Sequence, residues 1–288
     1  MDHRIPTHHD IVIGLGLIGG SLALDLKLRM NFKVLGIDKN PEHIKKALEL
    51  GFIDQEANFS EIAEASVVII AVPVDMIPKV TLQVLDLISD DTLVFDVGSV
   101  KNEICKIVRN HPKRKNFVAS HPLAGTEFSG PEAAILNLFD EKVNIVCEAD
   151  KTNWKILDKA LSLFKKLNMR IKMMDPVEHD RHIAYVSHLS HVSSFMLGKT
   201  VLEIEKNEQA IFDMASTGFA STVRLAKSSA NTWAPIFLEN KENLIKSLDE
   251  YIKNLIEFKM FVETNNEEKL KEAMNNANYI KSILNGIK

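Results

Sequence analysis

Three glycines at positions 14, 16 and 19 have the spacing of a loop that holds the phosphates of a dinucleotide. They follow a short apolar run typical of a buried strand, and a helical pattern begins among them, which makes this common spacing informative. Gly14 would permit a tight turn, Gly16 would let the backbone approach a pyrophosphate, and Gly19 would let helix and strand pack closely. The helix N-terminus would donate amide hydrogen bonds to the phosphates, although the glycines could instead serve packing alone. The predicted contacts in this loop are Gly14, Gly16, Leu17, Ile18 and Gly19.

The next predicted strand ends at Asp38, nineteen residues after Gly19. An acid at this place hydrogen-bonds the ribose hydroxyls and repels a 2′-phosphate, so the sequence favours NAD over NADP as the cofactor. Lys39 follows and could partner a phosphate. A further apolar strand runs into Val72 and Pro73, where the proline would turn the chain beside the cofactor.

Two polar residues, Ser99 and His121, each follow the end of an apolar run. Because ligands bind beyond the carboxyl ends of parallel strands, we expect both side chains near the nicotinamide end of a bound cofactor. A histidine there can take a proton from an alcohol while hydride leaves, and a serine hydroxyl can help to fix its position. We therefore predict both as catalytic residues. The alternatives are that His121 caps backbone groups in a loop and that Ser99 is the N-cap of the following helix.

The C-terminal half contributes a group of histidines and a late arginine. Four-residue spacing puts Ser187 and His191 on one helix face, with His188 near its edge, and we expect this face to bind substrate. One alternative is a metal site in which His188 and His191 are neighbouring ligands. No suitably spaced carboxylate or thiol completes a ligand set, so no metal is predicted. A solvated interface helix is the other alternative. Arg224 lies among small and apolar residues, where its planar fork suits a bidentate carboxylate or, equally, a structural ion pair.

The elements that would position these residues change character near residue 174. Up to Met173, short apolar runs alternate with helical patterns, which indicates right-handed βαβ units and a mostly parallel, doubly wound sheet. Asp175 and Pro176 then form a good helix start, and only helical patterns follow. The sequence predicts an α/β fold, with a Rossmann-type NAD-binding domain at 1–173 and an all-α domain at 174–288. The predicted strands lie at 11–13, 34–37, 67–70, 93–96, 117–119 and 143–146.

Composition excludes several classes of protein. The 288 residues carry 35 basic and 39 acidic side chains, and a net charge of -4 argues against a dedicated nucleic-acid binder. Two cysteines, Cys105 and Cys147, form no CxxC pair and suggest a reducing compartment. No apolar run approaches the roughly 18 residues of a membrane span, and the polar start lacks the apolar core of a signal peptide. We therefore expect a soluble, cytoplasmic protein whose partner is a small molecule rather than nucleic acid or membrane.

Four segments together resemble the prephenate dehydrogenase family, which includes the arogenate dehydrogenases of tyrosine biosynthesis. They are GLGLIGGS at 14–21, DVGSVK at 96–101, SHPLAGTE at 120–127 and SHLSH at 187–191. The resemblance extends over nearly the whole chain, and the segment at 120–127 is its most specific part. It implies NAD-dependent oxidative decarboxylation of prephenate to 4-hydroxyphenylpyruvate and carbon dioxide, with NADH as the second product.

The same resemblance implies roles for individual residues. His121 matches the catalytic histidine that bonds the ring hydroxyl, and Ser99 matches the serine that assists it. His191 and Arg224 match substrate-binding positions, and the helical domain resembles a dimerisation domain, which implies a homodimer. The remaining substrate-binding positions implied by the family are Ser187, His188, Glu127 and Trp233.

The chain departs from the family pattern at two places. Ser190 stands where proline is usual, and Ala220 and Ser221 stand where arginine and aspartate are common, so an acid that is common at the rim of the family's pocket is missing. Three other functions remain open on the sequence. The same chemistry could act on arogenate, the chain could be a different two-domain dehydrogenase such as a β-hydroxyacid or imine reductase, or it could bind NAD without turnover.

Overall fold

A computed structural model describes residues 9–205 and 216–284 of the chain. Its central feature is one eight-stranded sheet, built from apolar segments that are covered on both faces. The strands are β1 (His9–Ile13), β2 (Val34–Ile37), β3 (Gln55–Glu56), β4 (Ala65–Ile70), β5 (Leu93–Asp96), β6 (Phe117–Pro122), β7 (Val143–Cys147) and β8 (Arg170–Met174). Their order in the sheet is β3-β2-β1-β4-β5-β6-β7-β8. The predicted doubly wound, mostly parallel sheet is confirmed.

Pairing in this sheet brings the ends of the central strands to one edge. Neighbouring strands are parallel except for β6 and β7, which pair antiparallel. Asp96, the last residue of β5, lies opposite Ala119 of β6, so the segments that follow these two positions emerge side by side. This register places the residues after β5 near His121.

Alternate side chains of the strands enter two apolar cores, one on each face of the sheet. Val12 and Ile69 belong to one core, while Ile11, Ile13 and Val68 belong to the other. Full burial of such a side chain contributes about 1.5–3 kcal/mol each, so a continuous apolar run is what a strand covered on both faces requires. The cores hold the strand ends, and hence the polar residues beyond them, in fixed positions.

Helices connect the strands and make up the described part of the C-terminal half. The helix at residue 176 begins as predicted, because the Asp175 side chain accepts hydrogen bonds from the amides of Val177 and Glu178. The helices are α1 (Leu17–Met30), α2 (Pro41–Glu49), α3 (Ile77–Leu87), α4 (Asn102–Val108), α5 (Trp154–Lys166), α6 (Pro176–Ile183), α7 (Leu189–Glu205), α8 (Thr217–Thr222), α9 (Ala230–Glu239), α10 (Lys241–Glu263), α11 (Glu267–Asn278) and α12 (Ile280–Leu284). None of these helices is both long and apolar enough to cross a membrane.

Two edge strands were absent from the sequence prediction. β3 has only two residues, both exposed, and β8 alternates apolar residues with Arg170 and Lys172. An edge strand has a neighbour on one side only, so neither segment shows the continuous apolar run that marks the central strands. Both were therefore missed.

The chain divides by its internal contacts into two compact units, Met1–Lys241 and Glu242–Lys288. The predicted domain limits, 1–173 and 174–288, stay a prediction. The parts of those two ranges that fall at 1–8, 206–215 and 285–288 lie outside the described residues.

Candidate active site

The glycine loop combines two glycines required by packing with one that leaves open space. Gly14 has φ +93°, and a Cβ there would lie 2.4 Å from the carbonyl oxygen of Ala71. A Cβ on Gly19 would lie 1.9 Å from the carbonyl oxygen of Gly14. Nothing lies within 4 Å of the corresponding position on Gly16, directly before α1. The loop therefore leaves room for a ligand where the unpaired amides of Leu17 and Ile18 begin the helix, as a pyrophosphate requires.

Asp38 lies at the end of β2 and is tied to this loop. Its carboxylate accepts hydrogen bonds from the amide of Leu15 at 2.8 Å and the amide of Asn40 at 2.9 Å. Nδ1 of His43 lies 3.2 Å from the same carboxylate. A carboxylate has about four acceptor positions, so one remains for a ribose hydroxyl. Val72 follows Ala71 beside the glycine loop, and Pro73 turns the chain into a short 3-10 segment. These residues fit the adenosine and pyrophosphate parts of NAD.

His121 lies in β6 and is almost fully buried. Its Nδ1 is 2.8 Å from Nε2 of His179, and Nδ1 of His179 is 2.7 Å from a carboxylate oxygen of Asp180. His179 and Asp180 both belong to α6, so the packing of this helix against α4 and the end of β6 creates the chain of contacts. Three buried polar groups are thus linked in series, an arrangement that can hold or move a proton.

Asp180 is held from the opposite side by the start of α4. Its two oxygens accept hydrogen bonds from the amides of Lys101 at 2.8 Å and Asn102 at 2.9 Å, and its own carbonyl oxygen accepts one from the Asn240 amide group at 2.7 Å. These bonds satisfy amides that the first turn of a helix leaves free. The position of the carboxylate is therefore fixed by three partners, the two amides and His179, while Asn240 holds the backbone of the same residue.

The Lys101 side chain forms a buried ion pair with Asp96 and also donates to the carbonyl oxygen of Ser120 at 2.8 Å. Burial raises the pKa of Asp96, and the ammonium group of Lys101 opposes that rise. The pair links the end of β5 to the residue directly before His121. Removing one partner of such a pair would leave an uncompensated buried charge, which is strongly destabilising.

Burial lowers the pKa of His121 well below its usual value, and nearby His179, Lys101 and His188 lower it further. The first cause is the loss of solvation that an imidazolium would suffer in this environment. His121 is accordingly neutral at ordinary pH. A neutral imidazole is the form that accepts a hydrogen bond or a proton.

Ser99 is half-buried in the segment between β5 and α4. The residue at the N-cap of α4 is Lys101, so Ser99 does not serve as the cap. Within the described part of the chain, its hydroxyl makes no hydrogen bond to protein. The hydroxyl is therefore available to a ligand at this edge of the sheet.

A π-helical turn at Ala184–His188 joins α6 to α7. Such wide turns occur often at functional sites. His188, at its end, is fully buried and contacts the rings of Trp233 and Phe237 edge-on, and Asn240 is 3.3 Å from its Nδ1. Burial lowers the pKa of His188 to about 4. The sequence pattern predicts His188 near the edge of the substrate-binding face that carries Ser187 and His191, whereas the structure buries it in the interior.

His191 and Trp233 form the wall that follows this turn. Their rings are stacked, and the Nδ1–H of His191 donates to the carbonyl oxygen of Ser187 at 3.0 Å. Burial lowers the pKa of His191, with a further contribution from Arg224. The three predicted substrate-binding residues Ser187, His191 and Trp233 are thus brought together.

Arg224 pairs with Glu127 at 3.4 Å, with 54% of the arginine side chain exposed against 19% of the glutamate. Its segment is held on α7, because the hydroxyl of Ser194 donates to the carbonyl oxygen of Thr222 and accepts from the amide of Ala226. The ion pair with Glu127 agrees with the structural role that the sequence left open for Arg224. The position of the arginine near His191 agrees with the other role, binding of a ligand carboxylate. An exposed pair of this kind contributes about 0–1 kcal/mol, so a ligand carboxylate can compete for the arginine.

Sequence reasoning missed the buried residues behind His121, namely Lys101, His179 and Asp180. His179 and Asp180 were read only as part of a helical face, and their contact with β6 spans 58 residues of sequence. The adjacent histidine and aspartate in the first helix of the C-terminal half are the sequence signal that could have found them. Among residues 9–205 and 216–284, no cluster of histidine, cysteine and acidic residues could hold a metal ion.

Comparisons with known proteins agree over most of the chain. Residues 22–173 match the model of the prephenate dehydrogenase nucleotide-binding domain, and residues 175–276 match that of the prephenate dehydrogenase dimerization domain. Prephenate dehydrogenase from Bacillus subtilis (strain 168) is 34% identical over 269 residues, which are 90% of this chain and 71% of the relative. Cyclohexadienyl dehydrogenase from Zymomonas mobilis is 31% identical over 251 residues, 86% of each chain.

A solved structure extends the similarity to the whole fold. Prephenate dehydrogenase from A. aeolicus, in complex with hydroxyphenyl propionate and NAD+, superimposes with a TM-score of 0.87 at 31% identity. The superposition covers 98% of this chain and 99% of that one.

Proposed function

The chain belongs to the prephenate dehydrogenase family, and we propose that it oxidises prephenate with NAD, releasing carbon dioxide and giving 4-hydroxyphenylpyruvate and NADH. The observation that carries the proposal is His121, a buried neutral imidazole at the sheet edge that also bears the glycine loop. NAD as cofactor is supported by the matched nucleotide-binding domain, by the open space at Gly16 and by NAD+ in the similar structure.

His121 is the acceptor for the ring hydroxyl. When bound, NAD supplies the ring that accepts the hydride. As hydride leaves the hydroxyl-bearing carbon, the oxygen becomes strongly acidic, and the neutral imidazole accepts its proton or a strong hydrogen bond. Loss of carbon dioxide leaves its electron pair in the ring, which becomes aromatic, and the proton returns to the phenol oxygen. Atoms and charge balance without a further acid or base, so the protein mainly orients the reacting groups.

Ser99 assists at the same hydroxyl, since its own hydroxyl is half-buried and free of protein partners within the described residues. Its place between β5 and α4 puts it on the edge reached by His121. A hydroxyl can both donate and accept, so Ser99 can hold the substrate oxygen in line with the imidazole.

Arg224 binds the side-chain carboxylate of the substrate, with His191, Trp233 and Ser187 forming the adjoining wall and the buried His188 packed behind Trp233. Strong pairing of a cation with the departing ring carboxylate would stabilise the ground state and slow the reaction, so that carboxylate is the less suitable partner. The exposed guanidinium, paired only loosely with Glu127, retains donors for a bidentate carboxylate contact.

Arogenate is the second candidate substrate, and Glu127 is the observation that favours it. Arogenate carries an ammonium group where prephenate has a keto oxygen. Glu127 is mostly buried beside Arg224, so its carboxylate is placed to attract such a group. Pairing with Arg224 offsets this charge, which is why prephenate remains the first choice.

NADH formation by the purified full chain tests the function. Prephenate and arogenate are each offered with NAD and with NADP, and the assay is repeated on His121→Asn. Turnover of prephenate with NAD that falls by about 10²–10⁴ in His121→Asn is the expected result. Preference for arogenate would change the substrate and keep the mechanism. Absence of turnover with both substrates would overturn the proposed function.

A homodimer through the helical part is proposed on two grounds. Residues 175–276 match a dimerization domain, and α10 carries large apolar side chains that are about half exposed in the single chain. These are Ile245, Ile252, Leu255, Phe258 and Val262. Such a stripe is typical of a surface that another chain covers. Light scattering should give twice the chain mass, and Leu255→Lys should shift the mass toward the monomer while the exposed control Lys253→Gln does not.

A cytoplasmic location is also proposed, because Cys105 and Cys147 are both free thiols buried in the core. Fractionation of the cells that make the protein tests this location. Recovery in a secreted or membrane fraction would contradict it.

A further inference from the structure

The imidazole of His121 is at one end of a line of three buried groups, followed by His179 and Asp180, whose hydrogen-bond directions can be worked out. We infer that His179 and Asp180 are positioning residues that fix His121 in the tautomer with a free Nε2 and stabilise it when it is charged. This inference rests on the proposed function, in which His121 is the acceptor, and it adds two residues to the machinery.

The direction of the hydrogen bonds begins at Asp180. Its carboxylate already accepts from two backbone amides, those of Lys101 and Asn102, which can only donate. An ionised carboxylate has no proton to give, so the 2.7 Å contact with His179 requires Nδ1–H of His179 as the donor. The helix start of α4 thus keeps Asp180 in place as an acceptor.

The tautomer of His121 follows from that of His179. A neutral His179 with its proton on Nδ1 has a bare Nε2, which can only accept. The 2.8 Å contact between this atom and Nδ1 of His121 therefore needs a proton on Nδ1 of His121. A neutral His121 then has a bare Nε2, the atom left to receive the hydroxyl proton of the substrate. Without His179, either nitrogen of His121 could carry the proton, and one of the two tautomers would be unable to accept.

The same line of hydrogen bonds can stabilise the positive charge that appears on His121 when it accepts the substrate proton. When Nε2 of His121 accepts a proton, its Nδ1–H bond to His179 strengthens, and that proton can shift to Nε2 of His179. The resulting imidazolium would lie against the carboxylate of Asp180. No lysine or arginine among the described residues pairs with Asp180, whereas the neighbouring Asp96 is paired with Lys101. The negative charge of Asp180 is therefore available to stabilise the charged histidine pair.

Other titratable groups that face His121 act in the opposite direction. They are Lys101 from the start of α4 and His188 from the π-helical turn, and both disfavour a positive charge on His121, as burial does. A charged His179 would do the same, whereas the neutral His179 of this hydrogen-bond line accepts from Nδ1–H of His121 and supports its charge. The carboxylate of Asp180, which contacts His179, is the group that favours a positive charge on the histidine pair. Removing the link should thus lower the pH at which His121 takes up a proton in the enzyme–substrate complex.

Kinetics of variants at these two positions form the first test, with the full chain and prephenate plus NAD. His179→Phe keeps an aromatic ring and removes the acceptor, and we expect kcat to fall by about 10²-fold, within the range of proton-acceptor catalysis, with KM nearly unchanged. His179→Gln keeps an oxygen that can accept from His121 and should recover part of the loss. Asp180→Asn should lower kcat as well. His182→Phe, on the exposed side of the same helix, is the matched control.

The pH profile of kcat separates this role from a merely structural one. In His179→Phe the acidic limb should move to lower pH, because the charged His121 loses its link to Asp180. General loosening of the site would reduce activity at all pH values without this displacement. Unchanged kcat and an unchanged acidic limb in His179→Phe, with activity still lost in His121→Asn, would overturn the inference and leave the proposed function standing.

Nitrogen-15 NMR of the histidine rings gives a readout that needs neither turnover nor a folded variant at position 179. The His121 signals are assigned from their loss in His121→Asn. We expect a protonated Nδ1 and a bare Nε2 in the unmodified protein at neutral pH. A proton found on Nε2 would overturn the inference. If the protein has the expected tautomer but turns over neither prephenate nor arogenate, the inference about the hydrogen bonds stands and only the proposed function is refuted.

Discussion

His191 and Trp233 stack face to face, with ring centroids 3.4 Å apart and a 23° angle between the planes. The contact joins α7 to α9. Trp233 also touches the buried ring of His188 edge-on, so one indole supports two histidines. If this wall binds the substrate, the tryptophan contributes mainly apolar area and ring geometry.

Replacement of Trp233 should therefore weaken substrate binding more than it slows the chemical step. Trp233→Leu is expected to raise KM for prephenate by about tenfold, an amount that corresponds to roughly 1.4 kcal/mol of binding free energy, with a smaller change in kcat. Steady-state kinetics measure both. Trp154→Leu, at the only other tryptophan and on an exposed face of α5, is the matched control. A loss confined to kcat would contradict a binding role for this wall.

Arg224→Ala should raise KM for prephenate by about 10–100-fold while kcat changes little, because a charged hydrogen bond to the substrate carboxylate is lost. Arg224→Lys should recover only part of the affinity, since a lysine cannot make the bidentate contact. Glu127→Gln tests the competing ion pair and should lower KM, because it frees the guanidinium. A variant Arg224→Ala that lost kcat with KM unchanged would show that the arginine acts on the transition state instead.

Alanine at two glycines of the loop should separate cofactor binding from folding. Gly16→Ala meets open space, so its melting temperature should stay near that of the parent while the Kd for NAD rises by about tenfold or more. Gly19→Ala would place a Cβ 1.9 Å from a carbonyl oxygen. We expect it to destabilise the fold by about 1–3 kcal/mol, the usual cost of overpacking. Calorimetry with and without NAD measures both effects, and equal losses of stability in the two variants would contradict the assignment.

Asp10 predicts a pH dependence of stability that is unrelated to catalysis. Burial raises its pKa from 3.8 to about 6, and Lys159 only partly opposes the rise. Because the folded pKa is above the unfolded one, the fold favours the protonated acid, and this contribution to stability is lost as pH rises from about 4 to about 6. At pH 7 the ionised group costs up to about 3 kcal/mol.

Asp10→Asn should accordingly raise the free energy of unfolding at pH 7 and have a smaller effect at pH 4. Urea unfolding at the two pH values measures the difference. Asp158→Asn, an exposed position on α5, is the control and should change neither value by more than about 0.5 kcal/mol. Equal effects of Asp10→Asn at both pH values would be inconsistent with a raised pKa.

The sheet and the glycine loop could be predicted because their signals are local. A central strand buried on both faces needs an unbroken apolar run, and a tight turn into a helix needs glycine at fixed offsets. The positions of Ser99 and His121 at strand ends followed from the same reasoning. The edge strands β3 and β8 lack that unbroken run, and they were not predicted.

The contacts around His121 could not be predicted in the same way, because they join distant parts of the chain. His179 is 58 residues from His121, and the Lys101 amide that fixes Asp180 is 79 residues from it. Helical periodicity also assumes a constant number of residues per turn. The wide turn at Ala184–His188 breaks that assumption, and His188 consequently lies in the interior rather than at the edge of the face that carries Ser187 and His191.

This wide turn has a consequence for insertions and deletions. Each residue of an α-helix advances the side-chain direction by about 100°, since a turn contains 3.6 residues. A chain shortened by one residue within Ala184–His188 could keep α6 and α7 continuous, yet α7 would be rotated by about a quarter of a turn. His191 would then point away from Trp233, and the stacking contact between α7 and α9 would be lost. Substitutions in the turn are thus less damaging to the site than a change of its length.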